Sequence, residues 1–179
     1  MKIGFIGLGN MGEGMSLNIL KKHDDSVYVY DLQQEKVDLL AEQGAVPCGS
    51  ATAVAQNADI IITMLPRSEH VKAAWEEMLP VIGEGKICVD MSTIDPPVSM
   101  EIAEKVKETG AKFADCPVLK SKYMAMAGKL GIYAGCDEET FEVLKPILSY
   151  MGEHVMRMGE NGAGITMKIC QNALTHEIQ

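Results

Sequence analysis

Three glycines close to the N-terminus have the spacing of a loop that binds phosphate groups. Gly7, Gly9 and Gly12 follow a short apolar run at residues 3–6 and precede a helical pattern. A glycine turn between a strand and a helix directs backbone N–H groups and the helix N-terminus toward an anion. The first glycine permits the tight turn, the second lets phosphates approach closely, and the third allows the helix to pack on the strand. The pattern therefore predicts a pyrophosphate site.

An acidic residue further along indicates which phosphate compound is bound. Asp31 ends a second apolar run at residues 27–30, about 20 residues after the last glycine of the turn. A carboxylate there can accept hydrogen bonds from ribose hydroxyls and would repel a 2′-phosphate, which favours NAD over NADP. A purely structural turn is the alternative. The residues assigned to the cofactor here are Gly7, Leu8, Gly9, Asn10, Met11, Gly12 and Asp31.

Residues 61–66 and 89–97 each contain the end of a predicted strand and the loop that follows it. In a doubly wound sheet, the loops at the carboxyl ends of the strands line the ligand crevice. The alternatives are a strand end stopped by proline in the first loop and a helix cap from Thr93 or Asp95 in the second. The residues predicted to contact the cofactor from these loops are Met64, Leu65, Pro66, Ser92 and Thr93.

The last helical pattern carries a lysine and an amide on one face. Lys168 and Asn172 are one helical turn apart, so they project from the same side of a helix that starts near residue 163. A lysine over a cleft can transfer a proton to or from a carbonyl oxygen, which the amide could orient. A solvated lysine is the alternative, although apolar neighbours such as Ile169 favour partial burial.

A second group of cations follows the sixth predicted strand. Lys120 and Lys122 flank Ser121 in an otherwise acidic chain. Such a cluster suits a carboxylate, sulfonate or phosphate on a substrate. A surface loop with solvated lysines is the alternative.

Composition limits the class of protein. The chain has 179 residues, a net charge of −9 and 47% hydrophobic residues. The charge argues against nucleic acid and anionic membranes as partners, and no apolar run approaches transmembrane length. The five cysteines include no CxxC pair, so we expect no metal site, no disulfide framework and a cytoplasmic location.

Strand and helix signals alternate along the chain. This alternation predicts an α/β fold, a doubly wound Rossmann-type domain with a mostly parallel sheet. Strands are predicted at residues 2–6, 27–31, 45–47, 59–63, 86–90, 112–115, 130–134 and 154–158. Helices are predicted near residues 11–22, 34–43, 51–56, 68–77, 97–109, 138–149 and from 163 to the end.

The domain organisation follows from the final helix. Residues 1–161 form the predicted NAD-binding domain, and residues 162–179 the start of a long inter-domain helix. This helical pattern reaches the last residue without a glycine or proline stop signal, so the helix either frays there or continues in a longer protein. We favour the second alternative and expect the chain to be one domain of a two-domain enzyme.

Together these motifs resemble the β-hydroxyacid dehydrogenase family, which includes 3-hydroxyisobutyrate dehydrogenase and tartronate semialdehyde reductase. The matches are the N-terminal glycine turn, residues 63–66, residues 90–96, and the pattern Gly162-x-Gly164-x-x-x-Lys168-x-x-x-Asn172. The resemblance implies NAD(P)-dependent interconversion of a small anionic 3-hydroxyacid and its aldehyde or ketone. It makes Lys168 the general acid/base and Asn172 a substrate-positioning residue. It also implies a C-terminal all-helical domain, absent from this chain, which completes the active site and forms a homo-oligomer.

One segment departs from the family pattern. Where the usual family member has serine and two glycines that bind the substrate carboxylate, this chain has Leu119-Lys120-Ser121. The sulfolactaldehyde reductases of the family also replace this tripeptide, with a cation and a hydroxyl in its second and third positions. Lys120 and Ser121 are similar to that arrangement, and a cation with a hydroxyl would suit a sulfonate. A non-catalytic cofactor-binding module is a further hypothesis; an imine reductase is a weaker one, which Lys168 disfavours.

Overall fold

The computed structural model describes the backbone of residues 1–177 and the side chains of residues 1–175. The last two residues of the predicted final helix lie outside this range. The strands are β1 Ile3–Ile6, β2 Val27–Tyr30, β3 Val46–Pro47, β4 Ile60–Thr63, β5 Ile87–Asp90, β6 Lys112–Asp115, β7 Val118–Leu119, β8 Leu130–Gly135 and β9 Gly152–Gly159. The helices are α1 Gly12–Lys22, α2 Gln34–Glu42, α3 Ala51–Asn57, α4 Ser68–Met78, α5 Pro96–Glu108, α6 Lys122–Ala127, α7 Glu138–Met151 and α8 Ala163–Glu177, with a 3₁₀ turn at Leu79–Val81.

The strands form one sheet in the order β3-β2-β1-β4-β5-β6-β8, with β7 and β9 both paired to β8. The pairs from β3 to β6 are all parallel, which confirms the predicted doubly wound, mostly parallel sheet. From β1 the chain runs to β2 on one side and later returns to β4 on the other. The loops after β1 and β4 therefore diverge at a topological switch point, where ligands of such sheets bind.

Apolar side chains cover both faces of the sheet. On one face Phe5, Ile62 and Val89 belong to a core cluster that α1 and α7 complete, and on the other Ile61 and Phe113 pack with α3, α4 and α5. Burial on both faces explains why β1 and β4 are continuous apolar runs, not alternating ones. Within residues 1–177, no helix combines the length and apolarity needed to cross a bilayer.

Residues 118–127 contain two elements that the sequence did not predict. After β6 the chain continues past the edge of the parallel strands, and Val118 pairs antiparallel with Ile132 of β8. The short helix α6 follows and ends at Gly128, whose φ of +67° provides a left-handed cap. The antiparallel pairing depends on a distant partner strand, so local periodicity does not reveal it.

Candidate dinucleotide site and active-site helix

A cavity of about 670 Å³ opens at the carboxyl ends of β1 and β4. It lies at the switch point of the sheet, between the glycine turn, the end of β2 and α4. Most of the residues that the sequence assigned to the cofactor line it. They are Gly7, Gly9, Asn10, Met11, Gly12, Asp31, Met64, Leu65 and Pro66.

The three glycines of the turn meet different steric demands. Gly7 has a φ of +95°, and a Cβ there would collide with the carbonyl oxygen of Met64. A Cβ on Gly12 would collide with the carbonyl oxygen of Gly7, so α1 can pack this closely on the turn only without a side chain. At Gly9 no described atom lies within 4 Å of an added Cβ, which leaves open space beside the cavity. The turn thus has room for phosphates at its second glycine.

The N-terminus of α1 has the electrostatics of an anion site. Among the described residues, no side chain caps this helix end. The first-turn N–H groups of a helix have no partner inside the helix, and they carry the positive end of its dipole. A pyrophosphate over the turn would fit these groups.

Asp31 connects the glycine turn to the end of β2. Its Oδ2 accepts a hydrogen bond from the Leu8 N–H at 2.7 Å, and its Oδ1 accepts one from the Gln33 N–H at 2.8 Å. A carboxylate oxygen can accept more than one hydrogen bond, so these contacts leave acceptor capacity for a ribose. The Leu8 side chain itself is fully buried in the core, so Leu8 contributes to the turn through its backbone.

A buried carboxylate supports the loop after β4. Asp90 Oδ1 accepts hydrogen bonds from Thr63 Oγ1 at 2.8 Å and from Ser92 Oγ at 2.7 Å. Ser92 Oγ in turn accepts one from the Leu65 N–H at 2.9 Å. The Ser92 side chain is 1% exposed, whereas Thr93 is exposed. Ser92 therefore supports the Met64–Pro66 loop from its buried side. Of the two hydroxyl residues Ser92 and Thr93, only Thr93 is accessible.

The sequence did not predict the residues that form the far wall of the cavity. His70, Ala73, Ala74 and Glu77 line it from one face of α4, and Lys36 lines it from α2. The spacing of the four α4 residues is that of a single helix face. That pattern could have indicated the wall, but it is also the pattern of any amphipathic helix.

The helix α8 carries the proposed proton-transfer group. Lys168 and Asn172 are both partly buried on it, and burial lowers the pKa of the Lys168 ammonium below its ordinary value. Tyr133 of β8 donates a hydrogen bond from its hydroxyl to Gln171 Oε1 at 2.8 Å, which holds this part of the helix to the sheet. Neither Lys168 nor Asn172 lines the dinucleotide cavity.

The segment Leu119–Ser121 has an unusual backbone. Lys120 has a φ of +85° and is the one non-glycine residue with positive φ in residues 1–177. Its Nζ lies 2.6 Å from Glu153 Oε1, and both Lys120 and Ser121 are exposed. The structure does not bring these residues into one cavity with Lys168.

A contact between helices connects this segment to the glycine turn. Asn18 of α1 donates hydrogen bonds from Nδ2 to the carbonyl oxygens of Ala125 at 2.9 Å and Met126 at 3.0 Å. A Cβ on Gly14 would lie 2.7 Å from the Met126 nitrogen, so the backbones of α1 and α6 touch directly. Helix α1, which starts at the glycine turn, therefore supports helix α6, which follows Ser121.

Comparison with known proteins agrees with this geometry. A family model described as the NAD binding domain of 6-phosphogluconate dehydrogenase matches residues 2–159. The chain belongs to this family, and the predicted resemblance to β-hydroxyacid dehydrogenases is confirmed by its relatives.

Three of these relatives show how far the similarity extends. The chain is 37% identical to 2-(hydroxymethyl)glutarate dehydrogenase of Eubacterium barkeri, over 97% of this chain and 58% of that protein. It is 38% identical to the human mitochondrial 3-hydroxyisobutyrate dehydrogenase, over 96% and 52%. The structure of the Mycobacterium tuberculosis 3-hydroxyisobutyrate dehydrogenase with L-serine superposes with a TM-score of 0.93 at 30% identity, covering 97% of this chain and 60% of that one. The chain thus spans about half to three-fifths of the length of these relatives.

The open space at Gly9 gives a direct test of the cavity. We expect Gly9→Ala to fold with unchanged stability, because its Cβ meets no protein atom. We also expect it to weaken NADH binding at least about tenfold, because that Cβ would fill the open space that the motif assigns to the phosphates. Calorimetric titration of NADH measures the affinity. Gly49→Ala is the matched control, since a Cβ there also meets nothing within 4 Å but lies outside the cavity. Equal NADH affinity in both variants would contradict a phosphate site at Gly9.

The buried Asp90 predicts a specific pH dependence of stability. Burial, opposed by its hydrogen bonds, raises its pKa from 3.8 to about 6. The folded state therefore holds this proton more tightly than the unfolded state, and the stabilisation is lost as pH rises from about 4 to about 6. Asp90→Asn removes this titration. The free energy of unfolding of the variant minus that of the wild type should therefore increase by about 2–3 kcal/mol between pH 4 and pH 7.

Urea denaturation at several pH values measures this difference. Asn57→Ala, at an exposed position of α3, is the control, and its difference should not change with pH because it removes no titratable group. A pH-independent difference for Asp90→Asn as well would mean that Asp90 does not titrate in this window.

Proposed function

We propose that this chain is the cofactor-binding part of an NAD-dependent oxidoreductase that interconverts a small anionic 3-hydroxyacid and its aldehyde or ketone. The observation that carries the proposal is the cavity at the switch point, formed by the glycine turn, Asp31 and the Met64–Pro66 loop. The names of the relatives, dehydrogenases of 3-hydroxyisobutyrate and 2-(hydroxymethyl)glutarate, support the substrate class.

The choice of NAD over NADP rests on Asp31. Its carboxylate lies in the cavity wall at the end of β2. There it can accept hydrogen bonds from ribose hydroxyls, and its negative charge would repel a 2′-phosphate. NADH and NADPH titrated into the same preparation would separate the two cofactors.

Lys168 is the proposed general acid/base. The bound cofactor would supply or accept the hydride at the carbonyl carbon. In the reductive direction the Lys168 ammonium gives a proton to the carbonyl oxygen, and in the oxidative direction its neutral amine takes the proton back. Partial burial helps both directions, because it lowers the pKa of Lys168 toward the working pH. Asn172, one turn further along α8, would orient the same oxygen.

Further residues would be needed for turnover by the whole protein. The relatives extend well beyond the region that this chain matches. We propose that an additional helical domain completes the substrate cleft and forms the homo-oligomer, so that the 179 residues alone bind cofactor without useful turnover. Activity is therefore to be measured on the complete gene product.

A second candidate substrate carries a sulfonate, held by Lys120 and Ser121. The observation that favours it is the backbone of Lys120, whose φ of +85° is a conformation that glycine adopts at least cost. Because this conformation is costly for a lysine, its presence here indicates that the positive charge of Lys120 has a function. Glu153 neutralises that cation in the structure, and an anionic substrate group would compete with this carboxylate.

The acid/base role of Lys168 predicts a defined kinetic loss. Lys168→Met should lower kcat by about 10²–10⁴-fold while leaving the affinity for NADH unchanged, because Lys168 lies outside the dinucleotide cavity. In the wild type, reduction should slow as pH rises through the pKa of Lys168, which burial lowers below its ordinary value. NADH oxidation with methylmalonate semialdehyde, tartronate semialdehyde and sulfolactaldehyde measures these rates.

Lys145→Met, on the exposed side of α7, is the control for the loss of a lysine. A Lys168→Met enzyme as fast as this control would remove the assigned role. NADH binding without turnover of any aldehyde would favour the non-catalytic module.

The sulfonate candidate predicts a change in substrate preference. Lys120→Gly should raise KM for sulfolactaldehyde by at least about tenfold, because a charge-assisted contact is lost. KM for methylmalonate semialdehyde should rise less, because its carboxylate offers two acceptor oxygens where a sulfonate offers three. Lys129→Gly, at an exposed position in the loop before β8, controls for a general loss of positive charge. If both substrates respond equally to Lys120→Gly, Lys120 does not select a sulfonate.

A further inference from the structure

A buried carboxylate at the end of β6 holds the start of α8. Asp115 is 2% exposed. Its Oδ1 accepts a hydrogen bond from the Gly162 N–H at 2.7 Å, and its Oδ2 accepts one from the Ile165 N–H at 2.8 Å. Each oxygen of one side chain thus binds a different backbone group, one just before the helix and one in its first turn.

Two glycines leave the space that this contact needs. A Cβ on Gly135 would lie 2.5 Å from Asp115 Oδ1. A Cβ on Gly164 would lie 2.5 Å from the Asp115 carbonyl oxygen and 2.6 Å from that of Tyr133. The helix therefore approaches the strand ends as closely as its backbone allows.

Two further contacts attach the same region to the sheet. Asn161 Nδ2 donates hydrogen bonds to the carbonyl oxygens of Phe113 at 2.7 Å and Gly135 at 2.9 Å. The Tyr133 hydroxyl binds Gln171 two turns into the helix. Lys168 lies between the attachment at Ile165 and the attachment at Gln171, so neither end of its segment can shift freely.

We propose that Asp115 is a positioning residue that sets the place and rotation of α8, and with it the reach of Lys168 and Asn172. The proposal rests on the acid/base role of Lys168 proposed above. A buried carboxylate costs desolvation energy, which its two N–H donors offset. Gly135 and Gly164 leave room for the close contact, and each carboxylate oxygen binds its own N–H donor. Asp115 therefore fits one placement of the helix.

An asparagine substitution tests whether the hydrogen bonds of Asp115, and not its volume, hold α8 in place. Asp115→Asn keeps the volume and one acceptor oxygen, but replaces the other oxygen by an NH₂ group that cannot accept a hydrogen bond. One of the two helix N–H groups then loses its partner. We expect the first turn of α8 to loosen, and a displacement of about 1 Å at a reacting group can lower a rate about a hundredfold.

The matched control is Asp137→Asn. Asp137 also holds the start of a helix, because it is the N-cap of α7 and its Oδ1 accepts a hydrogen bond from the Thr140 N–H at 2.8 Å, but α7 carries none of the proposed site residues. In the complete gene product we expect both variants to lower the thermal midpoint. Only Asp115→Asn should lower kcat, by about 10–100-fold, with KM for NADH unchanged. Asn161→Ala, which removes the neighbouring contact, should shift kcat in the same direction by less.

Hydrogen exchange supplies a readout that does not depend on activity. Amides of residues 162–171 should exchange at least about tenfold faster in Asp115→Asn than in Asp137→Asn. Unchanged exchange there, or a kcat equal to that of the control, would overturn the proposal. If Lys168→Met retains full turnover, the acid/base role fails separately, and the exchange rates still decide whether Asp115 positions α8.

Discussion

Carboxylates at the ends of parallel strands organise the loops of this site. Asp31 after β2 accepts an N–H from the glycine turn, Asp90 on β5 holds Ser92 and through it Leu65, and Asp115 on β6 holds the start of α8. Asp90 and Asp115 are direct neighbours in the sheet register. Each of these carboxylates accepts hydrogen bonds from N–H or O–H donors, mostly of a neighbouring loop, and these bonds hold that loop to the sheet.

The burial of Asp90 and Asp115 affects how an anionic cofactor could approach the edge of the sheet at which these carboxylates lie. Burial raises the pKa of both Asp90 and Asp115, and the charge of Asp115 adds to the effect on Asp90. Both carboxylates lie beneath their loops and are 2% exposed. A pyrophosphate over the turn would instead meet Gly9 and the uncapped end of α1, where backbone N–H groups are available.

The sequence predicted those parts of the fold that depend on local patterns. Alternating strand and helix signals gave the parallel sheet, and the glycine turn with Asp31 gave the dinucleotide cavity. It did not predict β7 and α6, because their positions depend on pairing with β8. Ser92 was expected to face the cofactor, but its hydroxyl is buried against Asp90 and the Leu65 N–H. Which face a strand-end side chain takes depends on three-dimensional neighbours, which residue spacing does not contain.

The direct backbone contact between α1 and α6 has a mechanical consequence. Gly14 brings the two helices together without an intervening side chain, and Asn18 joins them through the carbonyl groups of Ala125 and Met126. The glycine turn at one end of α1 and the segment of Lys120 before α6 are therefore joined through one direct backbone contact. We expect a tilt of α1 to displace both segments together, so a substitution at this contact should disturb the glycine turn and the Lys120 segment at the same time.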